Sequence, residues 1–416
     1  MRECAIYRNK ENCEAEVCQS TNDQGTGIYV AYLNNLRENR LVEQMGELNL
    51  RENRALEELK KLGIEIKRVI ESNRGGGKGV HGFIGERTQV AISNVRCILD
   101  GQKKIYVLID DNGMTDYLKG DIPIQQKACK SDGALGITHI MAHAKKYPEF
   151  IEKGGVYQIP KDFYEIFHKL YNMTYRDAAK LDKAELRLWR KIQKFHNEFP
   201  DICVEPMVVN YEDIQSGNIG NTIKKEEHKV EQECLKKKET IELNCRATVL
   251  DCIKVATISA AMEGAVDIGV SVYRHASEKK IRDFSSDDIK EIAIDGGKGA
   301  LKGAVRGAIV YIITNKTNIS AAIATAGVTV AYDITDDVMG CAKKSITDTE
   351  LAKRIVEHIA DATVSVTFTK LGERYIPIPV IGPLLGNAIG MFMLKNAKNY
   401  YKNNQIRKNK LVNNAC

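Results

Sequence analysis

Residues 105–127 read IYVLIDDNGMTDYLKGDIPIQQK, and this stretch decides the fold that the sequence predicts. The β-branched run at 105–109 is typical of a buried strand. The Asp-Asn-Gly that follows is a strong hairpin signal. Two further short strands are predicted over 115–118 and 122–127, separated by a Lys-Gly-Asp turn. The stretch therefore predicts a hairpin followed by a third short strand.

The flanking sequence completes a small α/β core. Apolar residues at helical spacing predict a helix over 83–98, before the hairpin. A helix over 135–146 and a strand over 156–159 are predicted after it. We therefore expect a mixed-sheet core at 74–165, followed by a helical extension at 166–250 that ends in a charged, solvated linker helix.

Four side chains in this core form a candidate metal site. Side chains alternate along a strand, so Gln125 and Lys127 are expected on one side of the sheet and Gln126 on the other. With Asp116 on the neighbouring strand and Glu86 on the preceding helix, two carboxylates and an amide oxygen would share one pocket. Mg²⁺ prefers such hard oxygen ligands. The lysine ammonium would stabilise developing negative charge or orient an attacking water.

The order of these elements over residues 81–160 resembles the core of the PD-(D/E)XK restriction-endonuclease-like nuclease superfamily. The resemblance implies Mg²⁺-dependent cleavage of nucleic acid, with DNA favoured over RNA. Asp116 would be the motif aspartate, Lys127 the motif lysine and Glu86 the helix glutamate. Gln125 occupies the position two before the lysine. It departs from the usual Asp or Glu there, although some members are similar in carrying Gln.

Alternatives to this site remain open at the level of sequence. Glu86 and Asp116 could be surface charges, and Lys127 could protect an edge strand from pairing with another chain. Either Asp110 or Asp111 could supply the strand carboxylate in place of Asp116. Turn chemistry accounts for Asp111 well, because Asp readily bonds to the backbone two residues on.

Histidines and cysteines suggest no second catalytic site. His139 and His143 have the i, i+4 spacing of zinc ligands, but the HExxH pattern is absent. We expect both on a packed helix, with contact of His143 to phosphate or metal as the alternative. The eleven cysteines are scattered and include no CxxC pair. A reduced cytoplasmic protein without a disulfide framework is therefore predicted, and no secretory signal is expected.

The N-terminal segment contains a repeat. Residues 1–30 are polar and are expected to form a loose lead-in. The pentapeptide LRENR occurs at 36–40 and again at 50–54, two heptads later. Heptad spacing over 33–70 predicts a coiled coil that joins copies of the chain, or else an amphipathic helix packed on its own domain. The glycine-rich segment 74–80 is predicted to be a flexible joint, because its lysine lacks the following Ser or Thr of a phosphate loop.

The C-terminal segment 251–416 is rich in small residues. Glycines recur at every fourth position in two rows, at 299, 303 and 307 and at 382, 386 and 390. Such rows allow close helix–helix packing, so an all-helical domain is predicted. The charge-free runs 317–332 and 376–394 are short for spanning helices. The tail beyond residue 394 holds six basic residues and no acid. A soluble bundle is favoured, with contact of 376–416 to an anionic membrane surface as the alternative.

The sequence thus predicts an α+β multidomain chain. It would comprise a long N-terminal helix, a restriction-endonuclease-like mixed-sheet core and a glycine-rich helical C-terminal domain, at 1–73, 74–165, 166–250 and 251–416. The predicted function is a Mg²⁺-dependent nuclease, and the net charge of +6 is compatible with a polyanionic partner. The architecture suits a bacterial defence or toxin-like effector. The alternative is a non-enzymatic scaffolding protein, or one attached to or inserted in the inner membrane.

Overall fold

The computed structural model describes residues 2–72, 76–111, 113–130, 133, 135–278 and 285–413. The chain folds as two compact units. One comprises residues 41–244, here called the sheet unit, and the other comprises residues 1–40 with 245–416, here called the helical unit. The four predicted segments are therefore regrouped, because the first helix contributes residues to both units.

Helix α1 (Arg2–Glu71) replaces the loose lead-in expected over residues 1–30. Every residue from 23 to 28 is buried, although several are polar. Tertiary packing stabilises a helix that local propensity alone does not indicate. Further along α1, residues Leu48, Ala55, Leu62 and Val69 are seven apart and lie in the core of the sheet unit. The heptad pattern thus serves packing within the unit, while Leu36, Val42 and Leu50 are exposed. Joining of copies through 33–70 stays a prediction.

The sheet unit contains one mixed sheet among its described residues. Its strands are β1 (Tyr106–Leu108), β2 (Tyr117–Lys119), β3 (Ile122–Gln126), β4 (Val156–Ile159) and β5 (Cys203–Pro206). They lie in the order β1-β2-β3-β4-β5. The expected hairpin is formed by β1 and β2, β3 pairs antiparallel with β2 to complete a three-stranded meander, and β4 and β5 add in parallel. The short strand β5 lies in a region that the sequence predicts to be mainly helical.

Helices surround this sheet. They are α2 (Gly76–Leu99), α3 (Ile137–Lys146), α4 (Pro148–Glu152), α5 (Lys161–Tyr171), α6 (Tyr175–Ala178), α7 (Lys183–Glu198) and α8 (Ile219–Asn244). Residues 76–80, expected in a flexible joint, form the first turn of α2, and 73–75 lie outside the described residues. One core joins α1, α2 and α8. A second gathers the aromatic side chains of α4, α5, α7 and β4 with Ile137 and Ile140 of α3.

Helix α8 differs from the solvated linker predicted there. Val230 and Cys234 are buried in the first core. Glu226 is buried too, and Arg96 Nη2 donates to its carboxylate over 2.5 Å. The four-residue spacing of these positions gives α8 one packed face. A mixed Lys and Glu composition conceals that face when the sequence is considered alone.

The helical unit adds five long helices after α8. These are α9 (Val249–Glu278), α10 (Ser286–Lys316), α11 (Ala321–Ala342), α12 (Asp348–Tyr375) and α13 (Ile381–Asn413). The glycine rows pack as expected. A Cβ at Gly303 would overlap the Ser259 carbonyl oxygen of α9, and one at Gly386 would overlap the Phe368 carbonyl oxygen of α12. The close packing of α10 on α9 and of α13 on α12 therefore depends on glycine.

One stretch is a candidate for crossing a membrane. Among the described residues, only the helical stretch Ile219–Ala276 is long and apolar enough, by length and composition. Buried core helices of soluble proteins meet the same criteria.

Candidate functional site

Asp116 is held at the start of β2 by the neighbouring strand β3. Its backbone N–H donates to the Ile124 carbonyl oxygen over 2.9 Å. Its carboxylate oxygen Oδ2 accepts from the Gln126 backbone N–H over 2.6 Å and also from the Gln125 side-chain amide. Two donors thus fix the orientation of one carboxylate oxygen. Gln125 itself is buried, so its amide has few alternative partners.

Glu86 reaches the same region because α2 packs closely on β3. A Cβ at Gly85 would overlap Nε2 of Gln126, so glycine permits the approach. With its amide oriented to satisfy both groups, Gln126 donates to the Gly85 carbonyl oxygen (3.3 Å) and accepts from the Glu86 backbone N–H (3.1 Å). Gln126, which the sequence predicts to face away from Lys127, therefore connects α2 to β3. Sequence reasoning missed this role, because a Gly-Glu pair does not indicate such a contact before α2 is placed on the sheet.

Lys127 follows β3 directly and is fixed through its backbone. Its N–H donates to the Gln158 carbonyl oxygen of β4 over 2.8 Å. Gly136, with a φ of +84°, packs against this backbone, and a Cβ there would lie 2.8 Å from the Lys127 carbonyl oxygen. That positive φ also favours glycine. The segment before α3 thus supports the lysine.

The three ionisable side chains interact electrostatically. Burial raises the pKa of Glu86 to about 8, and the neighbouring Asp116 charge adds to the increase. Burial also raises the pKa of Asp116, while Lys127 and the bonds from Gln126 and Gln125 oppose the increase. Burial lowers the pKa of Lys127, which the two carboxylates oppose. The structure thus brings all four predicted residues into one cluster, Gln125 by a hydrogen bond and the others through charge.

The two other candidate aspartates have different partners. Asp110 Oδ2 accepts from Arg87 Nη2 over 3.1 Å. Asp111 Oδ1 accepts from the Gly113 backbone N–H over 2.8 Å, which is the turn bond that the sequence predicts. Asp116 is therefore the aspartate that β3 holds beside Gln125.

The two histidines of α3 do not act as a pair. His143 Nδ1 lies 2.8 Å from the Tyr157 hydroxyl, whereas His139 Nε2 lies 3.2 Å from the Cys129 sulfur. Burial lowers the pKa of His143 to about 4, and the charge of Lys127 contributes. Tyr157 is the register partner of Gln125, so His143 borders the same face of the sheet. A neutral His143 is consistent with a packing role on that face.

The donor set of the cluster fits a hard divalent cation. Mg²⁺ is usually bound through one or two carboxylates and retains several waters. Glu86 and Asp116 supply two carboxylates, and Gln125 supplies an amide that now presents its nitrogen to Asp116. Within the described ranges, no group of three or more His, Cys, Asp or Glu side chains could hold a metal ion.

Comparison with known proteins adds no assignment. No family model, no curated protein and no solved structure matches this chain.

Proposed function

We propose that the sheet unit is a Mg²⁺-dependent nuclease that cleaves phosphodiester bonds, with DNA favoured over RNA. The observation that carries the proposal is the carboxylate of Asp116, which Gln125 and Gln126 hold in place and which interacts electrostatically with Glu86 and Lys127. The order of α2, the β1–β3 meander, α3 and the parallel strand β4 also supports it, because the PD-(D/E)XK resemblance implies that order.

Each residue has a distinct proposed role. Glu86 and Asp116 would hold the cation, joined by Gln125 when its amide turns its oxygen inward. When bound, Mg²⁺ supplies Lewis-acid activation of water and stabilises charge on a phosphoryl oxygen. The Lys127 ammonium would orient the attacking water or stabilise the developing negative charge. Gln126 is a positioning residue, because it links Glu86 to β3 without reaching the substrate.

The raised pKa values of the two acids support a cation-binding role. Two neighbouring buried carboxylates resist simultaneous ionisation, since like charges disfavour each other. A divalent cation removes that penalty and favours both ionised forms. A cation bound in the cluster would thus reduce the repulsion between the two carboxylates. Pairing such a nuclease with a helical unit suits a defence or toxin-like effector.

The test is cleavage of supercoiled plasmid and of single- and double-stranded DNA and RNA oligonucleotides, with Mg²⁺ or EDTA. Asp116→Asn and Lys127→Ala should each lower the rate about 100-fold or more. Asp121→Asn and Lys153→Ala are matched controls, because they make the same changes at an exposed aspartate and at an exposed lysine. Both should stay within about threefold of wild type. Fluorescence of Trp189, the single tryptophan, checks folding of the sheet unit.

Three outcomes would contradict the proposal. Cleavage that both Asp116→Asn and Lys127→Ala retain would remove these residues from the chemistry. Equal cleavage in EDTA would remove the divalent cation. Loss of activity in Asp110→Asn with retention in Asp116→Asn would transfer the carboxylate role to Asp110.

A further inference from the structure

The helical unit has an inverted distribution of polarity. The buried residues of α12 and α13 are mostly small or polar, among them Ser365, Thr369, Gly372, Gly386 and Asn387, and Met391 is also buried. Ser365 donates to the Asn387 amide oxygen over 2.7 Å. The large apolar side chains of the same two helices face outward: Val356, Ile359, Leu385, Ile389 and Phe392. A water-soluble helix normally places its apolar stripe against the core.

Charged and polar groups of α1 lie inside this unit. Arg306 of α10 is fully buried and pairs with Asp23 of α1 and with Glu263 of α9, whose Oε1 lies 2.8 Å from Nη1. Thr26 of α1 donates to the Ser259 hydroxyl over 2.9 Å. Residues 23–28 of α1 are all buried, so this stretch has no side that faces solvent. Its polar side chains have polar neighbours within the unit instead.

The apolar exterior is shared by several helices. On α10 an exposed stripe runs through Leu301, Val305, Ile309 and Ile312, opposite the glycine row. Ile253 and Ile268 of α9 and Ile323 and Val338 of α11 are also exposed. A shallow groove of about 380 Å³, lined mainly by small and β-branched side chains, lies between α11 and α12. Exposed apolar side chains thus occur on five helices, and extended apolar surfaces mark sites of interaction with proteins or membranes.

The charge pattern of α13 identifies the partner. Residues 381–394 contain no charged residue, and all six Lys and Arg residues of the helix follow at 395–410, a segment without Asp or Glu. Lys395 and Lys398 pair with Asp361 of α12, whereas Lys402 is exposed. Cations beside an apolar helix face match the anionic headgroups that border acyl chains. A second copy packed in parallel on this face would bring the same cations together, where they would repel.

The length of the apolar segment limits its depth. Residues 381–394 extend about 21 Å as a helix, whereas the hydrocarbon core of a bilayer is about 30 Å thick. This segment therefore suits one leaflet rather than a full crossing.

We propose that the apolar exterior of α10–α13 inserts into one leaflet of an anionic lipid bilayer, with the basic end of α13 from Lys402 onward at the headgroups. Helix pairs packed through glycine and charges paired inside the unit are both typical of proteins in contact with lipid. Lipid supplies no partners for polar groups, so these groups must bond to one another. The inference is independent of the nuclease proposal.

The test is flotation of the full chain with vesicles of phosphatidylcholine and phosphatidylglycerol at 7:3, and with phosphatidylcholine alone. Leu385→Gln/Ile389→Gln removes two outward side chains that are 47% and 52% exposed. Its partition coefficient on the mixed vesicles should fall about tenfold or more. Ile166→Gln/Val208→Gln is the matched control in the sheet unit, at 44% and 43% exposure. It should stay within about twofold of wild type.

Binding that is stronger on the anionic vesicles and weakened only by the α13 double variant would support the proposal. Absence of wild-type flotation on mixed vesicles would overturn it, as would equal flotation of both double variants. Light scattering without lipid tests whether a second copy of the chain covers the apolar surface instead. A wild-type dimer that Leu385→Gln/Ile389→Gln dissociates, together with no flotation, would assign the surface to a second copy. Helical circular dichroism confirms that the variants fold.

Discussion

Replacing Glu86 by Gln should stabilise the sheet unit at alkaline pH. Its carboxyl has a pKa of about 8 in the folded protein, against 4.5 when fully solvated. Below pH 4.5 the group is protonated in both the folded and the unfolded state, so it has no differential effect. Between 4.5 and about 8 the unfolded chain releases the proton while the folded protein retains it. The free energy of unfolding therefore decreases as pH rises through this window and is constant above it.

The size of this effect follows from the two pKa values. At 1.36 kcal/mol per pH unit, the upper limit is about 4 to 5 kcal/mol. Because Glu86 remains partly exposed to solvent, we expect about 2 kcal/mol. Glu86→Gln keeps the shape of the side chain but cannot ionise. Its free energy of unfolding should match wild type at pH 4.5 and exceed it by that amount near pH 8.

Urea unfolding followed by Trp189 fluorescence measures the difference in the sheet unit, with EDTA present to exclude metal. Glu152→Gln makes the same substitution at the exposed end of α4 and serves as the control. Its free energy of unfolding relative to wild type should not increase between pH 4.5 and pH 8. A Glu86→Gln variant with the same relative stability at both, or with lower stability at pH 8, would show that Glu86 does not lie in a desolvated acidic cluster.

Three further predictions concern the metal and the helical packing. At pH 8 and free Mg²⁺ ten times its Kd, the free energy of unfolding of the sheet unit should rise by about 1.4 kcal/mol; Asp116→Asn should lose this gain in the urea assay. Gly303→Ala should lower the free energy of opening of α10, measured by hydrogen exchange, by about 1 to 3 kcal/mol. Gly297→Ala has open space around it and should raise the same free energy by up to about 1 kcal/mol. Arg306→Leu should destabilise the helical unit by about 3 to 5 kcal/mol in thermal denaturation, because it leaves two acids without their cation. Lys316→Leu, an exposed change on the same helix, should have little effect.

Much of the sheet could be predicted from local sequence. The β-branched run, the turn residues and the alternation over 105–127 indicate β1, β2 and β3 to within one or two residues. The predicted strand at 156–159 coincides with β4. These signals act over a few residues, so a single chain displays them. Strand β5 has only four residues, and its pairing with β4 is a long-range contact that its own sequence does not indicate.

The candidate site was predictable in composition more than in arrangement. Glu86, Asp116, Gln125 and Lys127 could be named from element order and spacing. The donor role of the Gln125 amide and the link through Gln126 could not, because both depend on how closely α2 approaches β3. Gly85 permits that approach, yet a glycine before a glutamate has no such meaning until the helix is placed on the sheet.

By itself, the sequence determined the local elements of this protein: the first three strands, their turns, the heptad face of α1 and the glycine faces of α10 and α13. Backbone propensity, side-chain periodicity and glycine spacing are properties of neighbouring residues. Only the tertiary structure decided which polar groups are buried. Asp23 and Arg306 are 283 positions apart, and each is unfavourable inside a protein without the other. The cost of burying a charge depends on its partner in space, and local sequence does not identify that partner.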